Sequence, residues 1–154
     1  MELKGMALRN IGEISRMVAL KSDLEFKKYD MQKGQFIFVT RICEHPGMNL
    51  MDLSRLLNVD KSTTTKAIQK LEAAGYVTKE HPEDNRKSFS LFPTARAVEV
   101  YPHLIADENL RLELCFRGFA SEERKQVEKL LGRMCDNIEE AAERGSQEGV
   151  ENHE

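Results

Sequence analysis

At Gly75 the chain changes period. Before it, Leu50, Leu53, Leu56 and Leu57, and then Thr64, Ala67, Ile68 and Leu71, recur at the three- and four-residue intervals of helices with one buried face. Beyond it, Phe89 and Leu91 alternate with Ser88 and Ser90, as the two faces of a half-buried strand require. Asn49 can cap the first helix, Asn58-Val59 makes the bend, Asp60 can cap the second helix, and Gly75 closes it in the left-handed conformation that glycine adopts freely. Residues 76–81 and 87–92 then read as two strands, with the turn residues of 82–86 between them. Helix, bend, helix and hairpin in that order predict a winged helix-turn-helix, and few other folds accommodate the order.

The second of these helices opens on Lys61-Ser62-Thr63-Thr64-Thr65-Lys66, a poor start by intrinsic propensity because hydroxyl and β-branched side chains disfavour helix. One cap would suffice, and Asp60 supplies it. At 100° per residue Ser62, Lys66, Gln69 and Ala73 point away from the buried face, flanked by Thr63, Thr65 and Lys70, and no acid appears before Glu72. Such a face suits a helix in the major groove of duplex DNA: hydroxyls and amides meet base edges or phosphates, and lysines supply charge. Lys61, Ser62, Thr63, Thr65, Lys66 and Gln69 are therefore the expected contacts, Lys61 with a phosphate. At the hairpin tip Arg86 and Lys87 join them, since an arginine on a loop can enter a narrow minor groove.

The flanks read as helices. Ala7, Ile11, Ile14 and Val18 form one stripe within residues 3–28; residues 35–43 are apolar nearly all round, as in a short buried helix ended by His45-Pro46-Gly47. Helix resumes near residue 95, with Pro102 expected to kink or divide it, and a last stripe carries Val127, Leu130, Leu131, Met134, Ile138 and Ala141. The expectation is a mainly α, single-domain chain, 1–154, in which 33–93 form the winged helix-turn-helix and 1–28 and 95–144 are dimerisation helices. Residues 145–154 have almost nothing to bury and are expected as a disordered tail. The stripes at both ends are wider than one small winged helix could cover, which points to a homodimer.

The net charge of −3 conceals a division. Residues 1–51 and 52–96 each carry 8 Lys/Arg against 6 Asp/Glu, whereas 97–154 carry 7 against 14, so the acid is confined to the last third. A basic face can coexist with it. Cys43, Cys115 and Cys135 show no C-x-x-C spacing, so neither a disulfide framework nor a zinc knuckle is indicated and no cofactor or metal is expected. No apolar run approaches the roughly 18 residues of a membrane span, and the N-terminus lacks the apolar core of a signal peptide, so the expected location is cytoplasmic. No phosphate-binding glycine loop, H-E-x-x-H or G-x-S-x-G occurs, and an enzyme is not the expectation.

Residues 48–97 are similar to the core of the MarR family of bacterial transcription regulators. The resemblance is carried by Leu53 and Leu57 before the bend, Asp60-Lys61-Ser62-Thr63 opening the second helix, Leu71-Glu72-x-x-Gly75 closing it, and Asp84-x-Arg86 in the hairpin. It implies a homodimeric repressor on a pseudo-palindromic double-stranded DNA operator, with first and last helices interlocked and with Asp84 bracing Arg86 for the minor groove. Pro93-Thr94-Ala95-Arg96 departs from the family's Thr-x-x-Gly at the following helix. The resemblance also implies a small aromatic ligand that releases the DNA, with Met17, Phe36 and Tyr101 as the candidate pocket wall. Two alternatives stay open: a metal- or redox-responsive regulator of the same fold, for which His45, His103, Asp107 and Cys43 would be the groups, and a winged helix that contacts only protein.

Overall fold

The computed structural model describes residues 4–81 and 89–151. In chain order the elements are α1 (Ala7–Phe26), a 3-10 turn (Lys27–Tyr29), α2 (Phe36–Glu44), α3 (Leu50–Leu56), α4 (Lys61–Ala73), β1 (Val77–Glu80), β2 (Ser90–Pro93), α5 (Ala95–Cys115) and α6 (Ser121–Glu151). The chain divides into two compact units, Met1–Arg111 and Leu112–Glu154. The fold is mainly helical with a two-stranded antiparallel hairpin, a winged helix-turn-helix.

Local chemistry accounts for each boundary of the central motif. The Asn49 side chain accepts the Asp52 N–H at 2.9 Å and so caps α3. At its far end Asn58 N–H donates to Arg55 and Val59 N–H to Ser54, both at 3.0 Å, with Asn58 left-handed at φ 51°. That is a Schellman closure, and it makes the bend of the helix-turn-helix. α4 ends the same way: Gly75 is at φ 74°, its N–H donates to Glu72 at 3.0 Å, and Tyr76 N–H donates to Leu71 at 2.9 Å.

The core lies where α2, α3, α4 and the hairpin meet. Leu53, Ile68, Leu71, Tyr76, Leu91 and Leu104 are wholly or almost wholly buried, with Phe26, Phe38, Val39 and Ile42 against them. Tyr76 satisfies its buried hydroxyl by donating to the Tyr29 carbonyl at 2.5 Å, and Arg96 stacks on the Tyr76 ring while donating to the Ala74 carbonyl at 2.6 Å.

β1 and β2 pair from Val77 with Pro93 to Glu80 with Ser90. The free edge of β2 is occupied as well: Gly47 N–H donates to Leu91 O at 2.8 Å, Leu91 N–H to Met48 O at 2.9 Å, and Asn49 bridges Ser90. This third segment carries no alternation in the sequence, because only a few residues of it pair.

Several expectations shift. Leu56 stands 49 % exposed rather than beside Leu53, since three residues turn it 60° off the buried line. Pro102 lies inside α5 without dividing it. Thr94 caps α5, its hydroxyl accepting from Ala97 N–H at 3.3 Å, so the stretch reads Thr94-x-x-Ala97, a small-residue match one position later than Pro93-Thr94-Ala95-Arg96. Helix continues past Arg144 to Glu151, where a tail was expected, because an established backbone ladder propagates without an apolar face. Among the described residues no helix is long and apolar enough to cross a membrane.

Candidate nucleic-acid interface

α4 presents its two faces as its sequence divides them. Thr64, Ile68 and Leu71 are buried, Ala67 is half-buried, and Lys61, Ser62, Thr63, Lys66, Gln69 and Lys70 are exposed, with Thr65 intermediate. The start of the helix is held rigidly. Asp60 accepts the Thr63 N–H at 2.9 Å and the Thr63 hydroxyl at 2.6 Å, and these bonds, the hydroxyl's first, hold its carboxyl below the usual range.

The run of hydroxyls is accounted for mostly within the protein. Thr64 donates to the Asp60 carbonyl at 3.1 Å and Thr65 to the Lys61 carbonyl at 2.7 Å, so with Thr63 three of the four hydroxyls already have acceptors. Of the four, only the Ser62 hydroxyl has no hydrogen-bond partner among the described residues. What Thr63 and Thr65 offer outward is a methyl group and oxygen lone pairs, because local hydrogen bonds compete for their protons.

Asp84, Arg86 and Lys87 lie outside the described residues. Lys79, one strand below, is tied to Glu72 at 2.6 Å and lies over the Phe89 ring, fixing the base of the hairpin to the end of α4.

A group that the sequence left unconnected appears beside α4. Residues 32–35 lead into α2, and a cleft of about 210 Å³ between this loop and α4 is lined by Lys33, Lys66 and Lys70 with Gln32 and Thr63. Lys33 is separated from Lys66 by about half the winged region, so no local signal could have linked them.

The three residues expected as the ligand wall have different surroundings. Met17 is 53 % exposed on α1, Phe36 packs on Phe26 with ring centres 5.0 Å apart, and Tyr101 donates to Glu44 Oε1 at 3.3 Å. None of them lines the cleft of about 330 Å³ beside α1, whose walls include Phe26, Tyr29, His103, Asp107 and Arg111. His103 stacks near Tyr29, and Asp107 accepts from buried Ser22 at 3.0 Å and from Arg111 at 2.6 Å. Both groups thus have protein partners, and among the described residues no cluster of three or more His, Cys, Asp or Glu could hold a metal. Burial, and then the Glu44 carboxylate, push the Cys43 thiol up, opposite to what a reactive cysteine needs.

A family model described as MarR family matches residues 32–89. The chain is 39 % identical over 132 residues, 86 % of this chain and 88 % of the relative, to YybA of Bacillus subtilis (strain 168), an uncharacterized HTH-type transcriptional regulator. Among solved structures, a MarR protein from Peptoclostridium difficile is 48 % identical, with 90 % of each chain covered and a TM-score of 0.86. A MarR family transcriptional regulator from Listeria monocytogenes, complexed with 26mer DNA, is 33 % identical over 90 % of each chain, with a TM-score of 0.84.

Proposed function

Because the chain belongs to the MarR family of transcription regulators, we propose that it is a homodimeric, sequence-specific binder of double-stranded DNA that represses transcription until a small molecule releases it. The observation that carries this reading is the outward face of α4: cationic and amide side chains, no acid before Glu72, on a helix whose start Asp60 holds in place. Solvated helices ordinarily mix both charges along such a face. The relative from Listeria monocytogenes solved with DNA supports the same assignment.

In this mechanism Gln69 meets a base edge, Ser62 donates its unengaged hydroxyl, and Thr63 and Thr65 offer methyls to thymine. Lys61 neutralises a phosphate. By the family resemblance Arg86, braced by Asp84, enters the minor groove with Lys87 near the backbone. The effector part of the proposal is supported by the cleft whose walls include Phe26, Tyr29 and Leu110, apolar surfaces against which a small aromatic ring can pack, beside an Arg111 already paired with Asp107.

Selection from random duplexes with the purified protein tests the reading. The expected product is a two-fold symmetric site with half-site centres about 10–10.5 base pairs apart. Enrichment of an asymmetric site would refute the dimeric arrangement, and no enrichment at all would favour a winged helix that contacts only protein.

A further inference from the structure

The loop before α2 is pinned on both sides of Lys33. Gln35, 5 % exposed, turns its Oε1 back to accept the Gln32 N–H at 2.7 Å, while its own N–H donates to the Gln32 carbonyl at 3.0 Å. Gly34, left-handed at φ 70°, donates its N–H to Asp23 Oδ1 on α1 at 2.9 Å. The loop then reaches across to α4, where Gln32 Oε1 accepts from Lys70 Nζ at 2.8 Å, a contact between residues 38 positions apart. These bonds fix the place from which Lys33 projects.

Three lysines therefore line one small cleft, Lys33 from the loop and Lys66 and Lys70 from successive turns of α4, and no acidic residue lines it. Among the described residues none of the three forms an ion pair. With no carboxylate lining the cleft, an anion placed there would be attracted by the lysines around it without a competing negative charge. Lys66 lies on the outward line of α4 and Lys70 on its flank, with the loop that carries Lys33 tied beside Lys70, and a sugar-phosphate strand bordering the major groove would pass along that flank.

We propose that Lys33, Lys66 and Lys70, held by Gln32, form a clamp for a backbone phosphate of the bound duplex. The proposal rests on the reading of this chain as a DNA-binding regulator and extends it: Lys66 is assigned to a phosphate, and the loop before α2 becomes part of the interface. Gln32 contributes twice, because its oxygen holds Lys70 while its amide N–H groups remain free to donate to the phosphate. The clamp supplies affinity and register but no sequence preference.

The test measures binding of the selected duplex, and of the same duplex with altered half-sites, at four salt concentrations for the full chain and for Lys33→Ala, Lys33→Arg and Lys33→Ala/Lys70→Ala. The clamp predicts that Lys33→Ala weakens all duplexes by the same factor and makes the plot of log affinity against log salt shallower by about 0.9 per subunit. Lys33→Arg should restore the wild-type slope, which a merely misfolded loop would not do, and the double variant should lose about twice as much. An unchanged slope in the double variant, or a loss confined to one half-site sequence, overturns the clamp while leaving DNA binding intact. Failure of the unmodified chain to bind any duplex overturns the DNA-binding reading itself, and the clamp falls with it.

Discussion

Glu108 sits among groups that oppose its charge. Burial is the main reason its carboxyl is held above the ordinary glutamate range of about 4.3; Glu44 and Asp107 push the same way, and Arg41 opposes them. A raised value in the folded state means that folding favours the protonated form. The stability this group contributes is complete below the ordinary range and is lost as pH rises through the higher folded value. Glu108→Gln keeps the shape without the charge, so the variant should match the parent in urea unfolding near pH 4 and exceed it at pH 7. Equal midpoints at both values would mean that the site is fully solvated. Asp60 is the opposite case, because hydrogen bonds from Thr63 favour its ionised form; its cap is therefore complete above the ordinary aspartate range and weakens as acid protonates it.

For α4 as an element, the two ends do different work. The Asp60 end orients the face proposed to meet DNA, whereas the Gly75 end turns the chain into the hairpin. A Cβ at Gly75 would meet nothing within 4 Å, so the demand for glycine there comes wholly from its backbone angle. Gly75→Ala should destabilise the chain by about 1–2 kcal/mol, and Gly75→Asn by less, since asparagine tolerates the left-handed region. Denaturant unfolding of both variants checks the order; an equal cost for both would point to a clash elsewhere in the turn. Arg96 reinforces the same end through the Ala74 carbonyl, the Tyr76 ring and the Asp30 carboxylate, which ties the hairpin's base to the turn after α1.

At the scale of the whole molecule, the described surface of a single chain carries more apolar area than folding alone can use. Along α1, Ile11, Ile14, Met17, Leu20 and Leu24 are between 37 % and 69 % exposed, and on α6 Leu130, Leu131 and Ile138 are between 40 % and 63 %. A second copy of the chain is the proposed cover for both stripes. Sedimentation at micromolar concentration should show one dimeric species, and Ile14→Glu/Ile138→Glu should shift it to monomer with a loss of operator affinity. A dimer that survives both charges would move the interface off these stripes.

Sequence alone determined the kinds of elements and their order, because the signals for them act within one turn of chain. Asn49 and Asp60 cap, Asn58 and Gly75 accept left-handed angles, and the division of α4 into a buried and a polar face follows from 100° per residue. The likeness of residues 48–97 to known regulators was legible for the same reason, since its motifs are short-range. Tertiary structure decided what depends on residues far apart in the chain. It paired residues 47–49 with β2, kept Met17, Phe36 and Tyr101 off the cleft beside α1, and set Lys33 beside Lys66 and Lys70. Such contacts require the chain to close loops of tens of residues, and packing selects among the closures; no periodicity in the sequence records which one is chosen.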